Sequence, residues 1–288
     1  MILASTKRRG DPLVGAPTGA WSATVMPTYD GSGVAVHPTV VDMGRQWHGY
    51  RWWMGNTPFP SDNERLENPC IWGSNDRVVW EVPAGLVNPV ATAPPAPAYN
   101  SDTELVFDPE NQRMVLYWRT SGSGPVVVKA STSTNGNSWT PPQVLTLTGG
   151  TAGVSPAVIR RGPGDWHMWL FTQSSTIEHW VSTDPLGPWT KQANGTFTGG
   201  LTGGWHGDVI EFEGRLIGVV SSTNGRLIWT MTSDDGGDTW ATGDASTGVV
   251  AYRPTILPST VAGHVDVWVG TLKPYYRLWP RSMWPGIT

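Results

Sequence analysis

Polar residues that can do chemistry recur at the start of short aliphatic runs in this 288-residue sequence. They offer imidazole, carboxylate, hydroxyl and guanidinium groups, and they are His37, Asp102, Ser155, His206 and Arg253. Two further acids, Glu104 and Asp208, lie two residues beyond such an opening, and Glu67 and Asn68 begin another predicted strand. We expect these side chains to gather at one mouth of the fold.

The carboxyl groups of this set are the candidates for catalysis. Hydrolysis of a glycosidic bond uses a protonated acid and a charged base or nucleophile, about 5–5.5 Å apart for retention and about 6.5–9.5 Å apart for inversion. Asp102, Asp208 and Glu67 are the candidates for that pair. The alternative is structural: Asp102 and Asp208 cap turns, Glu67 bonds backbone amides, and Glu104 alternates outward.

The remaining polar and aromatic residues are candidates for substrate binding. This set comprises His37, Asn68, Glu104, Trp205, His206 and Arg253. Trp205 follows the glycine-rich stretch 199–204, and a Trp there can stack on a sugar face, as can Trp47 and Trp52. Structural packing is the alternative for each Trp. The sequence contains no ligand cluster with close metal spacing, no P-loop and no nucleophile elbow, so it leaves the metal ligands unassigned and predicts no cofactor.

A repeat predicts the elements that position these residues. Segments rich in Ser, Asp, Asn and Gly end in a Trp about 50 to 60 residues apart, at Trp80, Trp139, Trp189 and Trp240. Between them lie short runs of Val, Ile, Trp and Tyr bounded by Gly, Pro and Asn, which are typical of strands and turns. Four-stranded units with this period indicate propeller blades. We expect the four Trp side chains to be structural.

We therefore predict an all-β fold, a five-bladed β-propeller of four-stranded antiparallel blades closed by an N-terminal strand. The whole chain, 1–288, forms one domain. Its parts are an arm at 1–19, a closing strand at 20–36, and blades at about 37–83, 101–147, 154–193, 205–243 and 252–284. The stretch 83–99 is a loop between the first two blades.

Composition excludes several classes of protein. The chain carries 35 Gly and 25 Pro with only 15% charged residues, which argues against a helical fold. Its net charge of −4 provides no basic field for nucleic acid. No apolar run is long enough for membrane insertion, and the N-terminus lacks the order of a signal peptide. The single cysteine, Cys70, excludes an internal disulfide.

Three stretches resemble known families. Residues 233–240 resemble the Asp-box turn of sialidase-type propellers. The five units, their Pro-containing openings and residues 182–189 resemble arabinanase- and xylosidase-type glycoside hydrolases over about residues 20–285. Residues 37–89, with the aromatic run 49–54, resemble the glycosidase-like propellers of bacteriophage minor tail or receptor-binding proteins.

The resemblance to the hydrolases implies a base, a pKa modulator and a general acid from the first three blades. The base position falls on His37, the modulator on Asp102 and the acid on Ser155, so only the second position carries the expected carboxylate. The resemblance also implies a cation at the centre of the propeller, near His37 and His206. The alternative is that the protein binds no cofactor. The missing acid favours binding over hydrolysis.

The sequence-based expectation is therefore a phage tail component that binds a host cell-surface polysaccharide through the propeller face. It would be made in the host cytoplasm, join other phage tail proteins in the virion, and contact neither nucleic acid nor the membrane interior. The alternatives are an active glycoside hydrolase that degrades a host polysaccharide, and a purely structural tail subunit.

Overall fold

A computed structural model describes residues 22–122, 124–151, 153–223, 227–246, 253–270, 274–280 and 285. Their regular structure consists of β-strands and two short 3-10 turns, Pro60–Asp62 and Glu64–Leu66. The strands are β1 (Ser22–Ala23), β2 (Ala35–Trp47), β3 (Tyr50–Pro58), β4 (Cys70–Ser74), β5 (Tyr99–Asp108), β6 (Arg113–Ser121), β7 (Val127–Ser133), β8 (Gln143–Val144), β9 (Val154–Gly162), β10 (Asp165–Phe171), β11 (Thr176–Ser182), β12 (Thr190–Lys191), β13 (Gly195–Thr198), β14 (Gly204–Phe212), β15 (Arg215–Ser222), β16 (Ile228–Ser233), β17 (Thr239–Ser246), β18 (Pro254–Pro258), β19 (His264–Gly270) and β20 (Pro274–Pro280). The all-β prediction is confirmed. None of the described residues forms a helix long and apolar enough to cross a lipid bilayer.

Antiparallel pairing joins strands that follow one another in the chain. The described strands pair in the orders β2-β3-β4, β5-β6-β7-β8, β9-β10-β11-β12, β14-β15-β16-β17 and β18-β19-β20. β1 adds to the outer side of β20, where Ser22 pairs with Tyr276. The N-terminal segment therefore completes the last sheet as predicted, although Ala20 and Trp21 of the predicted closing strand lie outside the described residues, as does the 1–19 arm.

The first strands of these groups surround a common centre. β2 contacts β5, β5 contacts β9, β9 contacts β14, β14 contacts β18, and β18 contacts β2 again. This closed order is the arrangement of a β-propeller, whose radial sheets leave few free edges. The number of blades stays a prediction, because β13 pairs in parallel with β17 and links two groups into one nine-stranded sheet.

The core lies between neighbouring sheets. Each buried apolar cluster of the described residues joins one sheet to the next, and the cluster that contains Trp72 and Trp268 joins the last sheet to the first. Trp side chains dominate this packing: Trp169 and Trp240 meet edge to face with ring centres 6.0 Å apart. Large rings at recurrent positions fill the wedge between sheets that splay apart from the centre.

The Asp-box turns form as the repeat predicts. In the turn before β17, the Asp235 carboxylate accepts a bond from the Thr239 amide at 2.9 Å, and the Trp240 indole donates to the Gly237 carbonyl at 3.0 Å. Trp80 and Trp139 make the same indole bond three residues back, at 3.1 Å each. Trp189, the fourth predicted structural Trp, is fully buried, but its indole makes no such bond to the described residues, so three of the four share the turn bond.

The first sheet departs from the four-stranded prediction. Beyond β4 only an isolated bridge joins Gly73 to Glu81, and Pro83, which has no backbone N–H, follows soon after. The Asn88 side chain takes over the edge of β4, accepting from the Ile71 amide at 3.0 Å and donating to the Ile71 carbonyl at 2.9 Å. The 83–99 loop thus closes the edge that a fourth strand would cover.

Candidate metal-binding active site

Backbone bulges at the starts of the inner strands form the base of the site. His37, Asp102 and Ser155 have φ values of 54°, 56° and 51°, in the left-handed region that non-glycine residues rarely adopt. At each of them the strand slips in register against its neighbour, so the residue leaves the ladder. Bulges re-aim side chains, and such costly backbone is concentrated at functional sites.

His37, Asp102 and His206 come together from the starts of three different inner strands. One ligand-type atom from each lies within 4.8 Å of the other two, and all three side chains are buried. Asp102 Oδ1 lies 3.0 Å from His206 Nδ1 and 3.5 Å from His37 Nε2. These residues are far apart in the sequence, so local motif spacing could not reveal the cluster.

The Asp102 carboxylate is held by neighbouring polar groups. Arg119 Nε lies 2.7 Å from its Oδ2, and the Ser155 hydroxyl donates to its Oδ1 at 3.0 Å. Burial opposes ionisation, but the positive charge of the Arg119 guanidinium holds the pKa of Asp102 well below its usual range. Asp102 is therefore a carboxylate at neutral pH.

The two histidines are neutral. Burial lowers the pKa of His37 to about 3, against the opposing attraction of Asp102, and burial also lowers the pKa of His206. A neutral imidazole keeps a lone pair on one ring nitrogen and can bind a metal ion. The cluster therefore presents two neutral nitrogens and one anionic oxygen.

This donor set fits a divalent cation. Two imidazoles with a carboxylate are typical of catalytic zinc and related sites, which keep a further position open. Ligand atoms about 2.1 Å from a tetrahedral ion lie about 3.4 Å apart. The separations of 3.0 and 3.5 Å around Asp102 Oδ1 bracket that spacing, and the two imidazole nitrogens lie within 4.8 Å of each other. His37, Asp102 and His206 are the described residues that could hold the ion.

A cavity of about 370 Å³ opens beside this cluster. Its wall carries aromatic rings from Phe59, Tyr99 and Trp205. Glu67, which lines the cavity and is only 5% exposed, approaches His37 Nδ1 to 3.4 Å. Burial, reinforced by the charge of Asp102, raises the pKa of Glu67 well above its usual value. Two carboxyl groups therefore approach the same imidazole, Glu67 from the cavity wall with a raised pKa and Asp102 from the buried side with a lowered pKa.

Glu104 and Arg253, both predicted to bind substrate, instead pair inside the protein. Their side chains are fully buried, with Arg253 Nη2 2.8 Å from Glu104 Oε2, and Thr39 donates to the same oxygen at 2.9 Å. The expectation that Glu104 alternates outward is wrong, because its carboxylate joins the strands around the centre. Neither residue lines the cavity beside His37.

Asp208, a predicted catalytic acid, bonds backbone groups of two adjacent inner strands. It is fully buried, and its oxygens accept from the Val209 amide at 2.8 Å, the Ile256 amide at 3.0 Å and the Thr255 hydroxyl. These bonds give Asp208 a structural role, which is the alternative to catalysis predicted from the sequence. Asp208 does not line the cavity, and of the three predicted catalytic acids Asp102 and Glu67 are the two that approach His37.

Asn68, predicted to bind substrate, does not line this cavity. Its amide donates to the Tyr29 hydroxyl at 2.9 Å and its oxygen accepts from Asn100 at 3.0 Å. Trp205 lines the cavity, with its ring centre 4.4 Å from that of His206, and its role in sugar binding stays a prediction. Trp52 is only 3% exposed and packs in the core, where Arg51 covers it, so it is no sugar platform. The sequence carries no signal for Arg119, because this residue lies in β6, the second strand of its sheet, and not at the start of an inner strand.

Fold and site together define a β-propeller with a candidate metal cluster, and comparisons with known proteins support a glycosidase-like propeller fold. No family model matches the sequence. An A type blood N-acetyl-α-D-galactosamine deacetylase from Flavonifractor plautii is 41% identical over 83 residues, which make up 28% of this chain and 11% of that protein. The match therefore spans about a tenth of the relative's length.

Solved structures extend the likeness over most of the fold. A crystal structure of an N-acetylgalactosamine deacetylase from F. plautii, in complex with blood group B trisaccharide, superposes with a TM-score of 0.70 at 20% identity, covering 96% of this chain and 94% of that chain. A GH43 β-xylosidase/α-arabinofuranosidase from a compost microbial metagenome superposes with a TM-score of 0.62 at 8% identity, covering 91% and 95%. At such identities the likeness establishes the fold. The resemblance to glycosidase-like propellers is thus confirmed for the fold, and the proteins named above are carbohydrate-active enzymes.

Proposed function

We propose that this protein is a metal-dependent hydrolase that removes the N-acetyl group from an amino sugar of a glycan. The observation that carries the proposal is the cluster of His37, Asp102 and His206 beside a cavity that also holds Glu67. Further support comes from the similarity, in sequence and in fold, to N-acetylgalactosamine deacetylases.

The three clustered residues would hold a divalent cation, which when bound polarises a carbonyl and activates a water molecule. Asp102 contributes the negative charge, and Arg119 and Ser155 orient it from behind. Such supporting contacts fix ligand direction in metal sites. The neutral imidazoles of His37 and His206 contribute nitrogen lone pairs.

Glu67 is the proton carrier in this proposal. Hydrolysis breaks the amide C–N bond, adds the water oxygen to the acetyl carbon and requires a proton on the departing amine. Glu67 is buried at the cavity wall with a raised pKa, so it can carry that proton and exchange it with water. The aromatic wall formed by Phe59, Tyr99 and Trp205 holds the sugar ring and excludes bulk water.

Glycosidic hydrolysis is the second candidate, and the carboxyl pair favours it. Asp102 and Glu67 approach opposite nitrogens of His37, and their pKa values are displaced in opposite directions. A pair split in this way is typical of glycosidase acid and base residues. Asp102 is, however, fully buried and bound to Arg119, Ser155 and His206, which suits a metal ligand better than a nucleophile.

The phage tail interpretation stays a prediction from the sequence, and so do the virion location and the tail partners. A deacetylase or glycosidase active on a host glycan is compatible with a tail. Co-purification of the chain with assembled tails, detected by mass spectrometry, tests that assignment independently of activity.

The activity is tested with oligosaccharides that carry N-acetylgalactosamine or N-acetylglucosamine. We expect acetate and a new primary amine to appear, EDTA to abolish their release, and Zn²⁺, Mn²⁺ or Co²⁺ to restore it. His206→Ala and Glu67→Gln should each lower the rate at least about a hundredfold. Glu81→Gln, an exposed acid away from the cavity, is the matched control.

Each alternative product has a distinct meaning. New reducing ends without acetate would replace the proposal with glycosidic hydrolysis. Glycan binding with neither product, in protein loaded with each metal, would favour the binding protein predicted from the sequence. Metal content gives a separate readout, since the native chain should retain about one divalent ion that His206→Ala loses.

A further inference from the structure

The rim of the cavity carries two carboxylates. Asp62 and Glu64 lie in the 3-10 turns between β3 and β4, both are exposed, and both line the cavity. Neither makes an ion pair with any cation among the residues that the structure describes. Their charges therefore act on whatever enters the cavity.

The nearby arginines do not neutralise this rim. Arg119, which lines the cavity, is paired with Asp102 at 2.7 Å. Arg65, in the same turn as Glu64, directs its guanidinium to the carbonyl oxygens of Pro94, at 2.7 Å, and Ala98. Arg65 and Arg119 are thus bonded within the protein, and the two rim carboxylates keep their negative charges at the entrance.

The aromatic wall of the cavity also favours a cationic ligand. Phe59, Tyr99 and Trp205 line the same cavity as the two carboxylates. Aromatic faces attract cations through their quadrupole, and carboxylates attract them through their charge. The same combination repels an anionic sugar, because like charges brought together disfavour the wrong partner.

We infer that the rim formed by Asp62 and Glu64 selects glycans in which a cationic amino sugar neighbours the reacting N-acetyl sugar, and disfavours glycans that carry uronic or sialic acids. The inference rests on the proposed function for the position of the N-acetyl sugar. The rim residues then determine substrate class without taking part in the reaction.

The test compares three tetrasaccharides: fully deacetylated chitotetraose, N-acetylchitotetraose and tetragalacturonate. Binding is measured by isothermal titration calorimetry at about 20 mM salt, with native protein and with EDTA-treated protein. We expect chitotetraose to bind about five- to tenfold more tightly than the neutral oligomer, and tetragalacturonate to bind most weakly. Asp62→Asn/Glu64→Gln should remove most of this difference, as should 1 M NaCl, which shortens the Debye length to about 3 Å.

The matched control is Glu81→Gln/Asp238→Asn, which removes two exposed carboxylates outside the cavity lining and should keep the ranking. Equal binding of the three oligomers by the native chain, or an unchanged ranking in the rim variant, would overturn the inference. Because binding needs no turnover, failure of the proposed function would show separately, as an absence of acetate release. If acetate is released, a partly deacetylated oligomer should react about fivefold faster than its fully acetylated form, and only the rim variant should lose that preference.

Discussion

Asp102 is the residue on which the candidate site depends. It is fully buried, its backbone is left-handed, and it contacts Arg119, Ser155 and both clustered histidines. An isolated buried carboxylate would take up a proton, since desolvation disfavours its charge. The surrounding donors and cation reverse that tendency and keep a metal-ligating oxygen available.

Ser155 should act as a positioning residue for Asp102. Ser155→Ala removes the 3.0 Å bond to Asp102 Oδ1 and the 2.5 Å contact with His206 Nδ1, and loss of such supports lowers metal affinity at least about tenfold. Competition with a chromophoric chelator measures that affinity. Ser131→Ala, at another buried serine, is the control and should leave the affinity unchanged. Equal affinities in native protein and Ser155→Ala would contradict the role.

His179 should make stability depend on pH. Burial, with help from His167 and Arg161, lowers the pKa of His179 to about 4, and its ring stacks on Trp169 at 4.9 Å. The unfolded chain takes up a proton near pH 6.5 and the folded chain only near pH 4, so stability is lost as pH falls through that window.

In His179→Gln that loss should shrink by about 2–3 kcal/mol between pH 7 and pH 4. Urea unfolding at a series of pH values measures it. The exposed His48→Gln variant should follow the native pH profile. A His179→Gln profile parallel to that of the native protein would show that His179 does not carry the effect.

At the scale of elements, the turns and the bulges have different structural roles. The Asp-box turns at the outer strands repeat with nearly the same bonds, and they anchor Trp side chains between sheets. The bulges at the inner strands place unlike residues, His37, Asp102 and Ser155, at equivalent points. Repetition therefore builds the scaffold, and variation at one repeated position builds the site.

Gly136 should be sensitive to substitution because of the turn and its neighbour. Its φ of 78° disfavours a side chain, and a Cβ there would overlap the Trp53 ring. We expect Gly136→Ala to cost about 2–5 kcal/mol of unfolding free energy, the sum of backbone strain and overpacking. Gly236→Ala, at a φ of 81° with nothing within 4 Å, should cost only about 1–2 kcal/mol. Equal losses in denaturant unfolding would refute the packing contribution.

At the scale of the whole molecule, buried polar bonds tie distant parts of the chain together. The pair of Glu104 and Arg253 links β5 to the residue that precedes β18, and Arg253 also donates to the Pro156 carbonyl at 2.6 Å. β1 pairs with β20 at the other side of the last sheet. The first contacts join strands at the centre, and the pairing of β1 with β20 joins the two ends of the described chain at the outer side of the last sheet.

Removing one partner of the central pair should destabilise the fold strongly. Glu104→Gln leaves the buried Arg253 without its counter-charge, and we expect a loss of about 3–5 kcal/mol. The double variant Glu104→Leu/Arg253→Leu should lose less unfolding free energy than the sum of the losses in Glu104→Leu alone and Arg253→Leu alone. Glu211→Gln, in an exposed pair with Arg161, should lose less than about 1 kcal/mol. Additive losses in thermal unfolding would show that the central pair is not coupled.

Much of the architecture was predictable because it is local and repeated. The Asp-box turns, the strands between them and the N-terminal completion of the last sheet follow from turn residues, β-branched runs and the repeat period. The outer edge of the first sheet was not predictable, because Pro83 interrupts pairing and the Asn88 side chain supplies the missing bonds.

The sequence by itself determined the class of fold and the positions at which unlike polar residues would meet. Only the tertiary structure decided which of them meet. His37, Asp102 and His206 converge with Glu67 and Arg119, while Glu104, Arg253 and Asp208 bond within the centre. The physical reason is that turns and strands form from neighbours in the chain, whereas ligand geometry, burial and pKa arise only where separate strands close into a ring.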